Sequence, residues 1–260
     1  MIERRSTLSK KKDAIHRYLL WHTSLGSCDN VYLAEFPKSG GTWLAQMLSE
    51  LFVLPFPRNT SVSTQPCILH GHHLISSKHK KIIHLIRDGR DIMISAYHYF
   101  LLNENNPEKK SWKKRMGIKD LKDVKTNLSL FIELFFENYR SGLTHKKWPD
   151  FIDHYLSQKH VIQVKYESLN QDPISELTIL LKDISLIISK EKITHAVKKY
   201  SFHSQSGRKK GDENPTAFLR KGVVGDWKNY FNNDSAEIFN FYAGDALVTA
   251  GYEKDKNWWY

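Results

Sequence analysis

Cysteine is nearly absent: Cys28 and Cys67 are the only two in 260 residues. Two thiols build no disulfide framework and lack the paired spacing of a zinc site, which suits a reducing compartment. Long apolar runs are missing as well. No stretch reaches the ~18 residues that span a bilayer, and Lys10-Lys11-Lys12-Asp13 leads only into the short Tyr18-Leu19-Leu20-Trp21 patch, not a signal-peptide core. The expectation is a cytoplasmic protein without a membrane anchor. Acidic residues are also in deficit, 28 against 39 Lys and Arg, which leaves a formal charge of +11. Such a balance favours a polyanionic partner, whether nucleic acid, an anionic membrane or a substrate carrying several phosphates. The basic runs (Lys10 to Lys12, Lys78 to Lys81, Lys109 to Arg115, Arg208 to Lys210) are dispersed like solvated loops, so no nucleic-acid partner is expected.

What is present is enough for one core. A content of 40% hydrophobic and 12% aromatic residues, with no linker-like division, predicts a single domain over residues 1–260 whose first 30 residues are partly flexible. Val31 to Phe36 is a short apolar run stopped by Pro37 and a Ser-Gly-Gly turn; Trp43, Met47, Leu48 and Leu51 then follow at helical spacing. Lys81 to Ile86 repeats the buried-strand pattern, and Asp88-Gly89-Arg90-Asp91 turns into a helix running to about Leu102. Helices are predicted over 127–142, 148–156, 173–184, 190–200 and 235–250, with a further strand over 161–166. Strands alternating with helices predict an α/β fold: a central parallel sheet flanked by helices, with ligands gathered at the carboxyl ends of the strands. Residues 103–125 and 203–214 are polar and read as mobile loops.

The loop Phe36-Pro37-Lys38-Ser39-Gly40-Gly41-Thr42-Trp43 joins the first strand to its helix. A strand-to-helix loop aims several backbone N–H groups and a helix dipole at one point, which suits a phosphate. Gly40 and Gly41 let the backbone come close, Ser39 and Thr42 supply hydroxyls, and Lys38 supplies a full charge. The common ATP loop, GxxxxGK[ST], has its Lys after the glycines, whereas Lys38 precedes them. That displacement argues against a P-loop nucleotide kinase or other phosphotransferase, the alternative enzyme class for this fold.

This octet resembles the 5′-phosphosulfate loop of the sulfotransferase superfamily, most closely the cytosolic type, whose pattern is approximately YPKSGTTW. Arg87-Asp88-Gly89-Arg90-Asp91-Ile92-Met93-Ile94-Ser95 resembles the family's 3′-phosphate motif, in which an Arg and a Ser eight residues later grip that phosphate. Arg220-Lys221-Gly222-Val223-Val224-Gly225-Asp226-Trp227-Lys228-Asn229 resembles its late RKGxxGDWKN signature. Weaker echoes are Tyr166-Glu167-Ser168-Leu169 with Asp172-Pro173, and Tyr200-Ser201-Phe202.

The resemblance implies a P-loop-like fold and transfer of a sulfuryl group from 3′-phosphoadenosine 5′-phosphosulfate (PAPS), leaving 3′-phosphoadenosine 5′-phosphate (PAP). It implies nucleotide contacts from Lys38, Ser39, Gly40, Gly41, Thr42, Trp43, Arg87, Ser95, Tyr166, Phe202, Arg220, Lys221 and Gly222, with Trp43 and Phe202 on the adenine. Catalytic roles fall to Lys38, Ser95 and a His base. The family's KTH-like stretch aligns with His70-Gly71-His72, giving His72 as base and placing His70 where the family has Lys; His70 is the alternative base and His73 a third candidate. No Cys or carboxylate motif completes a metal shell around these histidines, so no metal is expected. The His70 substitution leaves open a nucleotide-binding member of the fold without catalysis. The acceptor is expected to be a small molecule or carbohydrate. The family's dimer stretch is only partly matched by Lys228, Phe231 and Glu237, with Asn232 and Asn233 in place of apolar residues, which predicts a monomer or a dimer through another interface.

Overall fold

Four short strands form the centre of the computed structural model, which describes residues 7–23, 29–58, 65–75, 80–139 and 146–259. In chain order the elements are α1 (Thr7–His22), β1 (Val31–Glu35), α2 (Gly41–Phe52), β2 (Ile68–Gly71), β3 (Lys81–Ile86) and α3 (Gly89–Tyr97). There follow α4 (Lys109–Met116), α5 (Val124–Asn138), α6 (Trp148–Leu156), β4 (Ile162–Lys165) and α7 (Tyr166–Gln171). The last are α8 (Pro173–Asp183), α9 (Lys190–Lys199), α10 (Phe202–Ser206) and α11 (Asn233–Thr249). Every strand pair is parallel and the sheet order is β2-β1-β3-β4. The chain therefore leaves β1 to opposite sides, the topology that opens a crevice at the carboxyl ends of the strands.

Strand periodicity divides the core in two. Tyr32, Ala34, Leu69, Ile82 and Ile86 point to one face, packed under α3, α5, α6 and α11 through Ile92, Phe131, Phe151 and Phe239. Val31, Leu33, Ile83, Leu85 and Val164 point to the other, covered by Leu44, Leu48, Leu177, Leu180 and Ile193 of α2, α8 and α9. The expected α/β architecture is thus the observed one. β2 was not expected, because only Ile68 and Leu69 precede His70-Gly71; pairing from Val31–Ile68 to Ala34–Gly71 makes it a strand.

Two segments expected as loops contain helical residues. Residues 103–125 contain α4, whose Trp112 and Met116 are buried, with the indole against Phe100, Phe131 and Phe135. Leu121, also buried, offers its carbonyl to the Tyr97 hydroxyl at 3.0 Å. Residues 203–214 begin inside α10 and are then clamped to the Arg220-Lys221 segment by Gly211 N–H to Lys221 O at 2.9 Å and Asn214 N–H to Arg220 O at 3.0 Å. In the N-terminal segment, α1 buries Leu20 and Trp21. Residues 1–6, 24–28 with Cys28, and 140–142 of the expected 127–142 helix lie outside the described residues. In the stretch that resembles a dimer contact, Asn232 caps α11 and Phe231 packs on Trp227, Phe239 and Trp258.

If α4 is structural, Trp112→Ala should cost about 3 to 5 kcal/mol of unfolding free energy, the usual loss for a buried large aromatic. Urea denaturation measures it; a change below about 1 kcal/mol would return the segment to the role of a movable lid.

Candidate active site

All four strands deliver residues to one cleft of about 830 Å³. Glu35 ends β1 and the phosphate-type loop follows; His70 lies at the end of β2 with His72 just beyond; Arg87 follows β3; Tyr166 follows β4. The convergence is a consequence of parallel pairing, since only then do all carboxyl ends share an edge.

The loop turns sharply at Lys38, which adopts a left-handed φ of 75° although it carries a side chain, a conformation held only where surroundings enforce it. Arg87 Nη1 supplies part of that enforcement by donating to the Lys38 carbonyl at 3.0 Å. The Lys38 ammonium lies 3.9 Å from the centre of the Tyr99 ring and 4.8 Å from that of Phe218. Burial, then the nearby Arg87 charge, pushes its pKa from the lysine range to about 7. α2 starts at Gly41 without a side-chain cap. A Cβ on Gly41 would stand 2.5 Å from the Glu35 carboxyl carbon and 2.6 Å from His70 Nε2, so glycine is required by close approach. Pro37, Lys38, Gly40, Gly41, Thr42 and Trp43 line the cleft. Ser39 does not: it is buried and its hydroxyl donates to Phe36 O at 2.7 Å.

The second and third motifs are built into each other. Asp91, on α3, accepts from the Gly225 N–H at 2.8 Å and the Trp227 N–H at 3.0 Å. Arg90 is buried against Asp88 at 2.8 Å and stacks over Trp227 at 3.9 Å, so it serves the scaffold. Arg87 faces the cleft instead, over Tyr166 at 4.4 Å and 3.9 Å from Asp91. Its Nε is buried without a hydrogen-bond partner, as are Trp43 Nε1 and Gln46 Oε1 from the same cleft. Three orphaned polar atoms around one cavity are the mark of a site shaped for a polar ligand. Ser95 also lines the cleft. Arg220 pairs with Asp226 and with Glu213, the latter at 2.6 Å, and Lys221 meets Asp226 at 2.7 Å. Phe202 lies over Gly222, where a Cβ would fall 2.6 Å from the ring. Asn170 ties Gly222 O, at 3.2 Å, to the Tyr166 hydroxyl, at 3.4 Å.

The three histidines separate. His73 packs among Trp21, Tyr18 and His22. His70 Nε2 stands 2.8 Å from Glu35 Oε1. A carboxylate only accepts, so that nitrogen carries a proton and holds no lone pair toward the cleft. His72 Nδ1 lies 3.1 Å from the Glu35 carbonyl, again an acceptor, so Nδ1 carries the proton and Nε2 is left bare in the neutral ring. Burial, opposed by Glu35, lowers the His72 pKa to about 4, which keeps the ring neutral near pH 7. His84 and His98 are structural: both are buried, with Nδ1 against Gln163 Oε1 at 2.8 Å and Pro215 O at 3.2 Å respectively.

Glu35 is the residue that sequence reasoning missed: it brings a carboxylate beside these histidines where no carboxylate motif was found. Its ligand atom and one ring nitrogen each of His70 and His72 lie within 4.8 Å of one another. Its other oxygen accepts the Gly41 N–H. Burial alone would raise the Glu35 pKa, but His70, His72 and that N–H outweigh it and leave it below the carboxylate range. The available signal was a lone acid closing the buried run Val-Tyr-Leu-Ala-Glu, a position that costs free energy unless partnered.

A family described as "Sulfotransferase domain" matches residues 57–249. The chain belongs to that family and is an enzyme of the sulfotransferase class, which sets the kinase alternative aside. Among relatives, it is 22% identical over 258 residues to bovine sulfotransferase 1A1, covering 81% of each chain, and 25% identical over 255 residues to human sulfotransferase 2A1, covering 82% of each. The mouse sulfotransferase SULT7A1, solved as a complex with PAP, superposes with a TM-score of 0.63 at 18% identity, covering 95% of this chain and 96% of that one. A retinol dehydratase complexed with androsterone and PAP gives 0.61 at 16% identity over 92% of this chain and 85% of its own. The family match starts after the Phe36 to Trp43 loop, whose assignment therefore rests on its own residues.

Asp91→Ala would leave the Gly225 and Trp227 amides unsatisfied, at about 1 to 3 kcal/mol each. Hydrogen exchange should show these two amides losing protection ahead of the β1 and β3 amides. Unchanged protection would mean that the two motifs are not held together by Asp91.

Proposed function

We propose that the chain transfers the sulfuryl group of PAPS to a hydroxyl, or an amine, of a small-molecule acceptor, without a metal in the reaction. The observation that carries this reading is the cleft at the carboxyl ends of the strands, where Lys38, Arg87 and a bare His72 Nε2 share walls lined with orphaned polar atoms. The cations Lys38, Arg87, Arg220 and Lys221 on those walls fit a nucleotide bearing phosphates at two positions. Lys38, the Gly40 and Thr42 amides and the Thr42 hydroxyl would hold the 5′ end, the Gly41 and Trp43 amides being taken by Glu35 and Gly40 O; Arg87, Ser95 and the Arg220-Lys221-Gly222 turn would hold the 3′-phosphate; Trp43 and Phe202 would flank the base, with Tyr166 at its edge. The donor supplies an activated sulfur whose leaving group is a phosphate.

In the transfer, the acceptor oxygen forms a bond to sulfur while the bond between sulfur and the bridging oxygen breaks. His72 Nε2 takes the acceptor proton, and the ring's Nδ1–H stays on Glu35 O as positive charge develops. Lys38 faces the bridging oxygen and offsets the charge that accumulates there. The Ser39 hydroxyl, committed to Phe36 O, acts by holding the loop. Beyond Lys38 the cleft wall is aromatic, with Tyr99, Phe100, Tyr139 and Phe218, which favours an acceptor with a flat apolar body.

The test is release of PAP from PAPS with a panel of phenols, alcohols, amines and sugars. Turnover in the wild type, with Lys38→Ala and His72→Ala each lowering kcat by about 100-fold or more, supports the reading. Full activity in His72→Ala would move the base elsewhere. Arg87→Ala should weaken PAP about 10- to 100-fold with a smaller effect on kcat. Donor binding without PAP release across the whole panel would favour the non-catalytic alternative.

A pH dependence follows from Lys38. Its pKa is about 7 in the free protein, and an arriving phosphate anion raises it. The complex then binds the proton more tightly, so affinity for PAP is greatest below pH 7 and falls by up to about tenfold per pH unit above it, up to the pKa of the complex. Calorimetry in buffers of different ionisation enthalpy should show uptake approaching one proton at about pH 8 and little at about pH 6. In Lys38→Met the proton uptake should vanish.

A further inference from the structure

From the cluster at the head of β1 and β2, we propose that Glu35, His70 and His72 form a binding site for a divalent cation of the zinc class, and that filling it switches the transfer off. Among the described residues no other three His, Cys, Asp or Glu side chains bring ligand atoms within 4.8 Å of one another. The donor set, two imidazoles and one carboxylate, suits zinc and disfavours magnesium, which prefers an all-oxygen octahedron. The ligand residues are already oriented. Glu35 Oε2 is held by the Gly41 N–H, leaving Oε1 beside His70. Both histidines are carried by, or adjoin, a strand that pairs with the strand bearing Glu35, so their spacing is set by the sheet register. The cluster also borders the cleft, which gives a cation an entry path and leaves an open coordination position for water or a ligand. The Lys38 ammonium is turned onto Tyr99 and Phe218.

The switching consequence rests on His72 being the base. A neutral imidazole has one lone pair. Whichever ring nitrogen of His72 binds the cation, the other keeps its proton, and no lone pair remains to accept one from the acceptor. None of the three ligands is among the residues placed on the nucleotide, Lys38, Thr42, Arg87, Ser95 and Arg220. A filled site should therefore lower kcat.

The experiment titrates the full chain, stripped with a chelator, with Zn²⁺ alone in competition with a chromophoric zinc indicator. One equivalent is expected per chain, weakened at least tenfold in Glu35→Gln, His70→Ala and His72→Ala, each checked for folding by circular dichroism. Histidine ring nitrogen NMR of the wild type gives a second readout that needs no variant: zinc should shift His70 and His72 and leave His84 and His98 in place. Absence of saturable one-to-one binding, or binding unchanged in all three variants, overturns the proposal, as would zinc shifts confined to His22 and His73. PAP binding by the stripped protein is measured separately; its failure would count against the donor reading and leave the cation site standing.

Discussion

The site depends on keeping several positive charges in one confined cleft before any anion arrives. Lys38, Arg87, Arg220 and Lys221 all line it, and like charges in a partly desolvated space repel strongly. Acids placed behind them limit that repulsion. Asp91 stands 3.9 Å from Arg87, while Asp226 and Glu213 hold Arg220 and Lys221. Lys38 has no such acid at contact distance among its described partners, and burial first, then the Arg87 charge, lower its affinity for its proton. The same acids fasten the backbone: Asp91 holds Gly225 and Trp227, so the late motif is pinned to the helix that follows Arg87. Charge containment and loop placement are one arrangement.

Much of this was legible because the motifs are local and the sheet is parallel. Three of the four strands announced themselves as apolar runs, and Arg87, Ser95 and the late Arg-Lys-Gly turn lie within single segments that the family resemblance pointed to. What escaped depended on tertiary contacts. β2 has too few apolar residues to be seen without its partner β1. The 103–125 segment is polar in composition, yet the period set by Trp112 and Met116 buries one side of α4. Glu35 was read as the end of a strand, and nothing in the linear sequence joins it to histidines 35 and 37 residues further on.

In the histidine cluster one acid distinguishes His70 from His72 by their hydrogen bonds. Motif register alone left His70 and His72 as competing bases. The carboxyl group of Glu35 takes the Nε2 proton of His70, and its backbone carbonyl takes the Nδ1 proton of His72, so the two rings end in opposite tautomers. Only His72 is left with a bare Nε2. The position that aligns with a lysine in the resembled family thus carries an imidazole paired to an acid.

The central claim is that the cleft at the carboxyl ends of β1 to β4 is a PAP-shaped site with its 5′ end at Lys38. A crystal structure of the chain soaked with PAP tests it most directly. The account predicts the 5′-phosphate on the Gly40 and Thr42 amides, the 3′-phosphate between Arg87 and Ser95, and the adenine between Trp43 and Phe202. PAP bound in the reverse orientation, or outside this cleft, would contradict it.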